Sequence, residues 1–239
     1  MSAGLFDKID RAAIEAAVWG ATQPAPRSDF DLAPDARALL PPTRKLRPAA
    51  VLCPIVERPS GFHVILTRRA DHLSKHPGQI AFPGGKVDAF DPSPLATALR
   101  EAEEEIGLGR DHVDVLGAID LYETSTSFSV TPFVGLVDPR FQPILDDNEV
   151  AEVFETPLSF LMDPANHQRH SREWMGRRRE FYAMPWAEPH GPERYIWGAT
   201  AGMLRNLSDR MRMVAAARDK ARESGAVASP VRSAGRNRL

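Results

Sequence analysis

The sequence predicts a mixed α/β fold built as one main domain, and three observations predict it. Short apolar runs with strand character alternate with a few helical stripes. At 239 residues the chain has the length of one or at most two domains. Apolar residues make up 43% and charged residues 26%, the balance of a globular protein with a substantial core.

The elements follow in chain order. Residues 5–19 place Leu5, Ile9, Ala13 and Ala17 on one stripe with Phe6 and Ile14 beside them, an amphipathic helix. Residues 20–48 hold six prolines and little periodicity, a connector expected to lie on a surface rather than enter the core. "AAVLCPIV" (49–56) is a continuous apolar run, a candidate buried strand, and the turn at "SG" leads into a second strand, "FHVILTR" (62–68). Ser93 offers an N-cap and Pro94 a first helical residue, and Gly107 offers a stop. Between them Leu95, Ala98, Leu99, Ala102 and Ile106 form one narrow apolar stripe. Strands are expected at 113–121, 130–137 and 149–158. "EFYAM" (180–184) and "RYIW" (194–197) read as a hairpin with a long tip. A helix resumes from Ala199 through Met203, Leu204, Leu207 and Met211, and the small, basic residues of 224–239 read as a disordered tail. The expected organisation is an N-terminal helix and connector packing on the domain (1–48), the main domain (49–212), and a helix end with basic tail (213–239).

Charge and cysteine usage exclude several classes. A net charge of −2 gives no global field for nucleic acid or an acidic membrane. The basic stretch "RHSREWMGRRRE" (169–180) is open to a nucleic-acid contact but reads better as a solvated hairpin arm. The lone Cys53 lies inside an apolar run, a buried hydrophobe rather than a catalytic thiol. No stretch approaches the ~20 apolar residues of a membrane span. The N-terminus lacks the basic-then-apolar order of a signal peptide, so a cytoplasmic location is expected.

The 94–106 helix carries an anomaly. Glu101, Glu104 and Glu105 are spaced i, i+3, i+4 and share a face, while Glu103 falls elsewhere. Each like-charge pair costs a few tenths of a kcal/mol. Carboxylates in the last turn also oppose the helix dipole, at roughly 0.3–1 kcal/mol each. Arg100 offsets part of this by pairing with Glu104. A solvated acidic face is one explanation. The upstream "AFPGG" supplies another, because glycines let a backbone carbonyl approach a ligand. Three carboxylates and a carbonyl make the hard oxygen cage that Mg²⁺ or Mn²⁺ prefers.

"GGKVDAFDPSPLATALREAEEEIGL" (84–108) resembles the Nudix box, G-x5-E-x7-R-E-U-x-E-E-x-G-U with U apolar. Gly85, Arg100, Glu101, Ala102, Glu104, Glu105, Gly107 and Leu108 fit. The first half departs, with Asp91 at the acidic position and eight residues before Arg100 instead of seven. The resemblance implies the Nudix fold, an α/β/α sandwich with a mixed β-sheet. It also implies hydrolysis of a nucleoside diphosphate linked to another group. Glu101, Glu104 and Glu105 would carry the metals, Glu101 with a further base-like role open, and the carbonyl of Gly84 or Gly85 would complete the cage. Arg100 would orient a glutamate. A further acid from a distant loop would be Glu149 in preference to Glu152.

"ILTRRADHLSKHPGQIAFPGG" (65–85) is similar to the extra signature of the coenzyme A pyrophosphatase subgroup, matching at Leu66, Thr67, Arg68, Leu73, His76, Gly78, Gln79 and Phe82 through Gly85. That resemblance implies cleavage of coenzyme A to 3′,5′-ADP and 4′-phosphopantetheine. Arg68, Arg69, Lys75 and His76 offer positive charge for the 3′-phosphate. Equally, Arg68 and Arg69 can end a strand in solvent, and His76 and Gln79 can brace the glycine loop. Phe82 is open to core packing or substrate stacking, as are Tyr122, Phe128, Phe133 and Tyr182. NADH, ADP-ribose and dinucleoside polyphosphates are the alternative substrates, and a binding module without turnover is the alternative class. The expected partner is a small molecule, with neither nucleic acid nor membrane, and a homodimer is left open.

Overall fold

The computed structural model describes residues 9–19, 27–41, 43–189 and 191–223. In chain order the elements are α1 (Arg11–Trp19), β1 (Arg27–Ser28), α2 (Pro34–Arg37), β2 (Arg47–Arg58), β3 (Gly61–Arg69), β4 (Ile80–Ala81), β5 (Gly84–Lys86) and α3 (Pro94–Ile106). There follow β6 (Val113–Ala118), β7 (Tyr122–Glu123), β8 (Phe128–Val137), β9 (Val150–Pro157), α4 (Leu158–Met162), β10 (Gln168–Trp174), β11 (Arg177–Ala187), β12 (Glu193–Trp197) and α5 (Gly198–Glu223).

Among the described residues, nine strands form one mixed sheet. β2 runs parallel to β8, while β3 pairs antiparallel with both β2 and β9. β2 explains the unbroken apolar run of the sequence, because both of its faces are covered. Ala50, Leu52 and Val56 pack toward α3 with Ala98, Leu99, Ala102 and Ile106. Ala49, Cys53 and Ile55 belong to the other core, with Leu158, Leu161, Leu204 and Leu207 of α4 and α5. The result is the expected α/β/α sandwich.

Helix α3 has the predicted ends. Ser93 Oγ accepts from the Ala96 N–H at 3.2 Å. Gly107 takes the left-handed conformation at φ 70, and the N–H groups of Gly107 and Leu108 close on Glu103 and Ala102. The Gly107 N–H on the Glu103 carbonyl, from a left-handed glycine, is the αL type of helix stop.

Several boundaries differ from the expectation. Residues 5–8 lie outside the described residues, and α1 is helical from Arg11, where Asp10 Oδ1 caps the Ala13 N–H at 2.7 Å. β6 stops at Ala118 after a bulge between Val115 and Gly117. The basic 169–180 segment is the hairpin of β10 and β11, turning through Met175 and Gly176 at φ 50 and 73. Such a two-residue turn matches the twist of its strands. The connector is more than surface chain: β1 adds a parallel edge beside β7, and Phe30 is 2% exposed. Proline content hid this, because a two-residue strand leaves no periodicity to read. The tail expected over 224–239 lies outside the described residues. No helix among the described residues is long and apolar enough to cross a membrane.

Candidate active site

The site begins at the two glycines of β5, which lie against the start of β2. Each is needed for a different reason. Gly84 sits at φ 152, and a Cβ there would lie 2.5 Å from the Ala50 carbonyl oxygen and 2.6 Å from Val51 Cα. A Cβ on Gly85 would instead overlap the Glu101 carboxyl carbon at 2.5 Å. Gly84 thus lets the strand dock, and Gly85 makes room for a glutamate.

Arg100 organises that glutamate. Its Nε and Nη2 donate to Asp91 Oδ1 and Oδ2, both at 3.0 Å. The same guanidinium reaches Glu101 Oε1 at 2.9 Å and Glu104 Oε2 at 2.7 Å. Asp91 also accepts from Thr97 Oγ1 at 2.9 Å and from the Asp88 N–H at 3.0 Å. Arg100 holds the Asp91 carboxyl far below the usual carboxylate range. Asp91 therefore fills the acidic position that the sequence offered in altered spacing.

The three box glutamates sit in graded environments. Glu104 is exposed, Glu101 half-buried and Glu105 only 4% exposed. Burial first, then the charges of Glu101 and Glu149, push the Glu105 carboxyl up to about 8. Arg69 and the Gly84 backbone N–H act in the opposite direction. Burial raises Glu101 as well, against the pull of Arg100. The charge of Glu149 thus reaches the pair from the distant loop. Glu152 does not, because it pairs with Arg194 at 2.5 Å and Arg68 at 3.6 Å.

A cleft of about 290 Å³ opens from the diglycine, and Arg69, His76, Gln79 and Phe82 line it. His76 adopts φ 56, and its carbonyl accepts from the Gln79 N–H at 3.2 Å, while the Gln79 carbonyl accepts from the Arg69 N–H at 3.0 Å. Both residues brace the loop through their backbones and also line the cleft. Phe82 is 4% exposed and serves core and cleft floor together. Arg68 and Lys75 do not line the cleft. Arg68 is held by Asp71 at 2.8 Å and by Glu152, and Lys75 is exposed. Arg68 lies opposite Glu152 in the pairing of β3 with β9, and the register shifts before Arg69, so only Arg68 is drawn into that ion pair. The opposite wall, with Thr124, Thr126 and Phe128, was not among the expected site residues apart from Phe128 as a stacking candidate. The signals were a run of hydroxyl residues, "TSTS", before a strand, and the likeness of "TSFSVTPFVG" (126–135) to a downstream segment of the coenzyme A pyrophosphatase subgroup.

Among the described residues, no three His, Cys, Asp or Glu side chains are pre-gathered as a metal cluster. The donor set nonetheless fits a hard dication. It offers oxygen atoms alone, and the buried Glu105 carries a raised carboxyl that a cation would relieve.

A family model described as the NUDIX domain matches residues 46–177. The chain belongs to the Nudix family. Among similar Nudix proteins, one named uncharacterized Nudix hydrolase NudL from Enterobacter sp. (strain 638) is 39% identical over 162 residues, covering 68% of this chain and 81% of its own. The protein of the same name from Yersinia pestis (strain Pestoides F) is 42% identical over 165 residues, covering 69% and 80%. Similar solved structures are more distant. A C. elegans Ap4A hydrolase binary complex is 17% identical, with TM-score 0.41 over 46% of this chain and 80% of its own. The NUDIX domain of Shewanella oneidensis NrtR, complexed with ADP ribose, is 18% identical, with TM-score 0.40 over 53% and 84%.

Proposed function

We propose that this Nudix hydrolase cleaves the diphosphate bond of coenzyme A or an acyl-CoA, giving 3′,5′-ADP and 4′-phosphopantetheine, with Mg²⁺ or Mn²⁺. The observation that carries the reading is the convergence of Glu101 and Glu105 on the Gly84–Gly85 turn, with the charge of Glu149 reaching both and a cleft opening from the two glycines. Glu101, Glu104, Glu105 and the Gly85 carbonyl would hold the dication, with Glu149 as a further ligand or base. When bound, the metal neutralises diphosphate charge and lowers the pKa of a water. Arg100 fixes the directions of Glu101 and Glu104. Arg69 supplies positive charge to the phosphates, and His76 and Gln79 donate from the neighbouring loop.

Support for coenzyme A in particular comes from the 65–85 signature, whose His76, Gln79 and Phe82 all line the cleft beside the diglycine. A second reading, another nucleoside diphosphate derivative, is favoured by Arg68: its ion pairs leave the cleft one fewer cation for a 3′-phosphate. Side-by-side kcat/KM values on coenzyme A, 3′-dephospho-coenzyme A, NADH and ADP-ribose test the proposal, with product analysis. Coenzyme A is expected to be preferred, releasing 3′,5′-ADP. A clear preference for NADH or ADP-ribose would overturn it.

A further inference from the structure

A second polar centre, built from three distant parts of the chain, lies behind the cleft wall. Asp29 of the connector and Arg179 of β11 form an ion pair at 2.9 Å, with 7% and 4% of their side chains exposed. The Asp29 carboxylate also accepts from the Ser125 N–H and Ser125 Oγ, both at 2.8 Å, and from Tyr122 OH at 3.1 Å. Arg179 Nη1 donates to Ser125 Oγ at 2.8 Å. The guanidinium lies 5.7 Å from the Phe30 ring and 5.6 Å from the Trp174 ring. Among the described residues, every side-chain hydrogen bond that leaves the pair ends on Tyr122 or Ser125.

Ser125 sits between Thr124 and Thr126, which line the cleft with Phe128 across from Gly85. The loop is tightly made: Thr124 Oγ1 lies 3.0 Å from Thr126 Oγ1 and accepts from the Phe128 N–H at 3.0 Å, and Ser127 adopts φ 68. A buried ion pair is a poor source of stability beside an apolar pair of the same volume. What it gives is a fixed geometry, and here that geometry is imposed on one wall of the cleft.

We infer that Asp29 and Arg179 are positioning residues, whose ion pair sets the 124–128 loop as the substrate-facing wall of the cleft. The inference rests on this cleft receiving the substrate, as in the proposed function, but not on coenzyme A being that substrate. Its effect is on substrate affinity, because the pair touches neither the glutamates nor Arg100.

Two variants of the full chain test it. Ser125→Ala removes the two hydroxyl bonds to Asp29 and Arg179 and leaves the ion pair and the backbone N–H bond to Asp29. Asp29→Asn with Arg179→Met removes both charges, so neither is stranded. KM and kcat are measured with Mg²⁺ on the nucleoside diphosphate derivative that the wild type turns over best. Amide exchange is followed by mass spectrometry over 122–130 and 94–108. Ser125→Ala should raise KM about 3- to 10-fold, the size of one lost hydrogen bond, with kcat within about twofold. Exchange over 122–130 should quicken about tenfold while the 94–108 helix is unchanged. The double variant should move further in the same direction. Wild-type KM and loop exchange in a folded variant would overturn the inference, as would a fall in kcat at constant KM. A double variant that fails to fold while Ser125→Ala keeps wild-type values would overturn it too. A wild type inert on coenzyme A but active on ADP-ribose sinks the substrate proposal alone, and a wild type inert on every derivative leaves the exchange comparison to decide.

Discussion

Asp91 and Arg100 meet in a two-point ion pair, Nε to Oδ1 and Nη2 to Oδ2, both at 3.0 Å, across the loop that leads into the glutamate helix. The pair leaves Arg100 Nη1 and one further Nη2 contact for Glu104 and Glu101. One guanidinium thus transmits the position of a loop acid to two glutamates of the proposed metal site. Lysine keeps the charge but not the fork. Arg100→Lys is expected to lower kcat about 10- to 100-fold, the effect of misplacing groups by about 1 Å. Steady-state kinetics at saturating Mg²⁺ check this, and wild-type kcat in that variant would remove the orienting role.

Glu104→Gln and Glu105→Gln keep shape and remove charge. Each should lower metal-dependent hydrolysis by at least about 100-fold, the scale of losing a preorganised electrostatic group. Both should fold, because Glu104 is exposed and a neutral amide suits the buried site of Glu105 better than a carboxylate. Turnover assays paired with thermal melts separate lost chemistry from lost structure.

The pH dependence has a defined sign. In the folded chain the Glu105 carboxyl is raised from 4.5 to about 8. The folded state holds the proton that the unfolded chain has released, so this group's contribution to stability is complete below pH 4.5 and is lost as pH rises through about 8. In the presence of a chelator, Tm should fall over that window, and Glu105→Gln should flatten the fall. Metal binding displaces the same proton, so affinity for Mg²⁺ or Mn²⁺ should rise with pH up to about 8. Parallel Tm curves for wild type and Glu105→Gln would exclude Glu105 as the titrating group.

The glutamate helix was legible because each of its features is local. A serine cap, a first-turn proline, a glycine stop and one apolar stripe are all readable at fixed spacing. The two-sided burial of β2 was legible from its unbroken apolar run. The division of labour between Arg68 and Arg69 was not, since it depends on Glu152 reaching Arg68 across the sheet from β9. Nor was the burial of Asp29 and Phe30, whose partners Ser125, Trp174 and Arg179 lie about a hundred residues away or more. Side chains that act through distant partners leave no period in the chain.

The two glycines separate under the same substitution. Gly85→Ala pushes against a flexible carboxylate, which can turn aside. It should leave a folded protein in which Glu101 is displaced and activity falls about 100-fold. Gly84→Ala pushes against the β2 backbone at a φ of 152 and has nothing movable to displace. It should cost about 1–3 kcal/mol of stability. Denaturant unfolding alongside activity distinguishes them, and equal stability losses at both positions would contradict the separate roles of the glycines.

Arg68 and Arg69 are neighbours with opposite expected phenotypes. Arg69 lines the cleft, and its charge favours ionised Glu105. Arg69→Ala should raise KM about tenfold for the loss of a charged phosphate contact. Removing that cation also lifts the Glu105 carboxyl further, so the acid limb of the pH–rate profile should move to higher pH. Arg68 spends its guanidinium on Asp71 and Glu152 at the rim of β3, where it is about a third exposed. Arg68→Ala should cost at most about 1 kcal/mol of stability and leave KM and the pH profile where they were, because Glu152 keeps Arg194 as a partner. A KM rise confined to Arg68→Ala would mean that its ion pairs open for substrate and that Arg68, not Arg69, supplies the positive charge of the cleft.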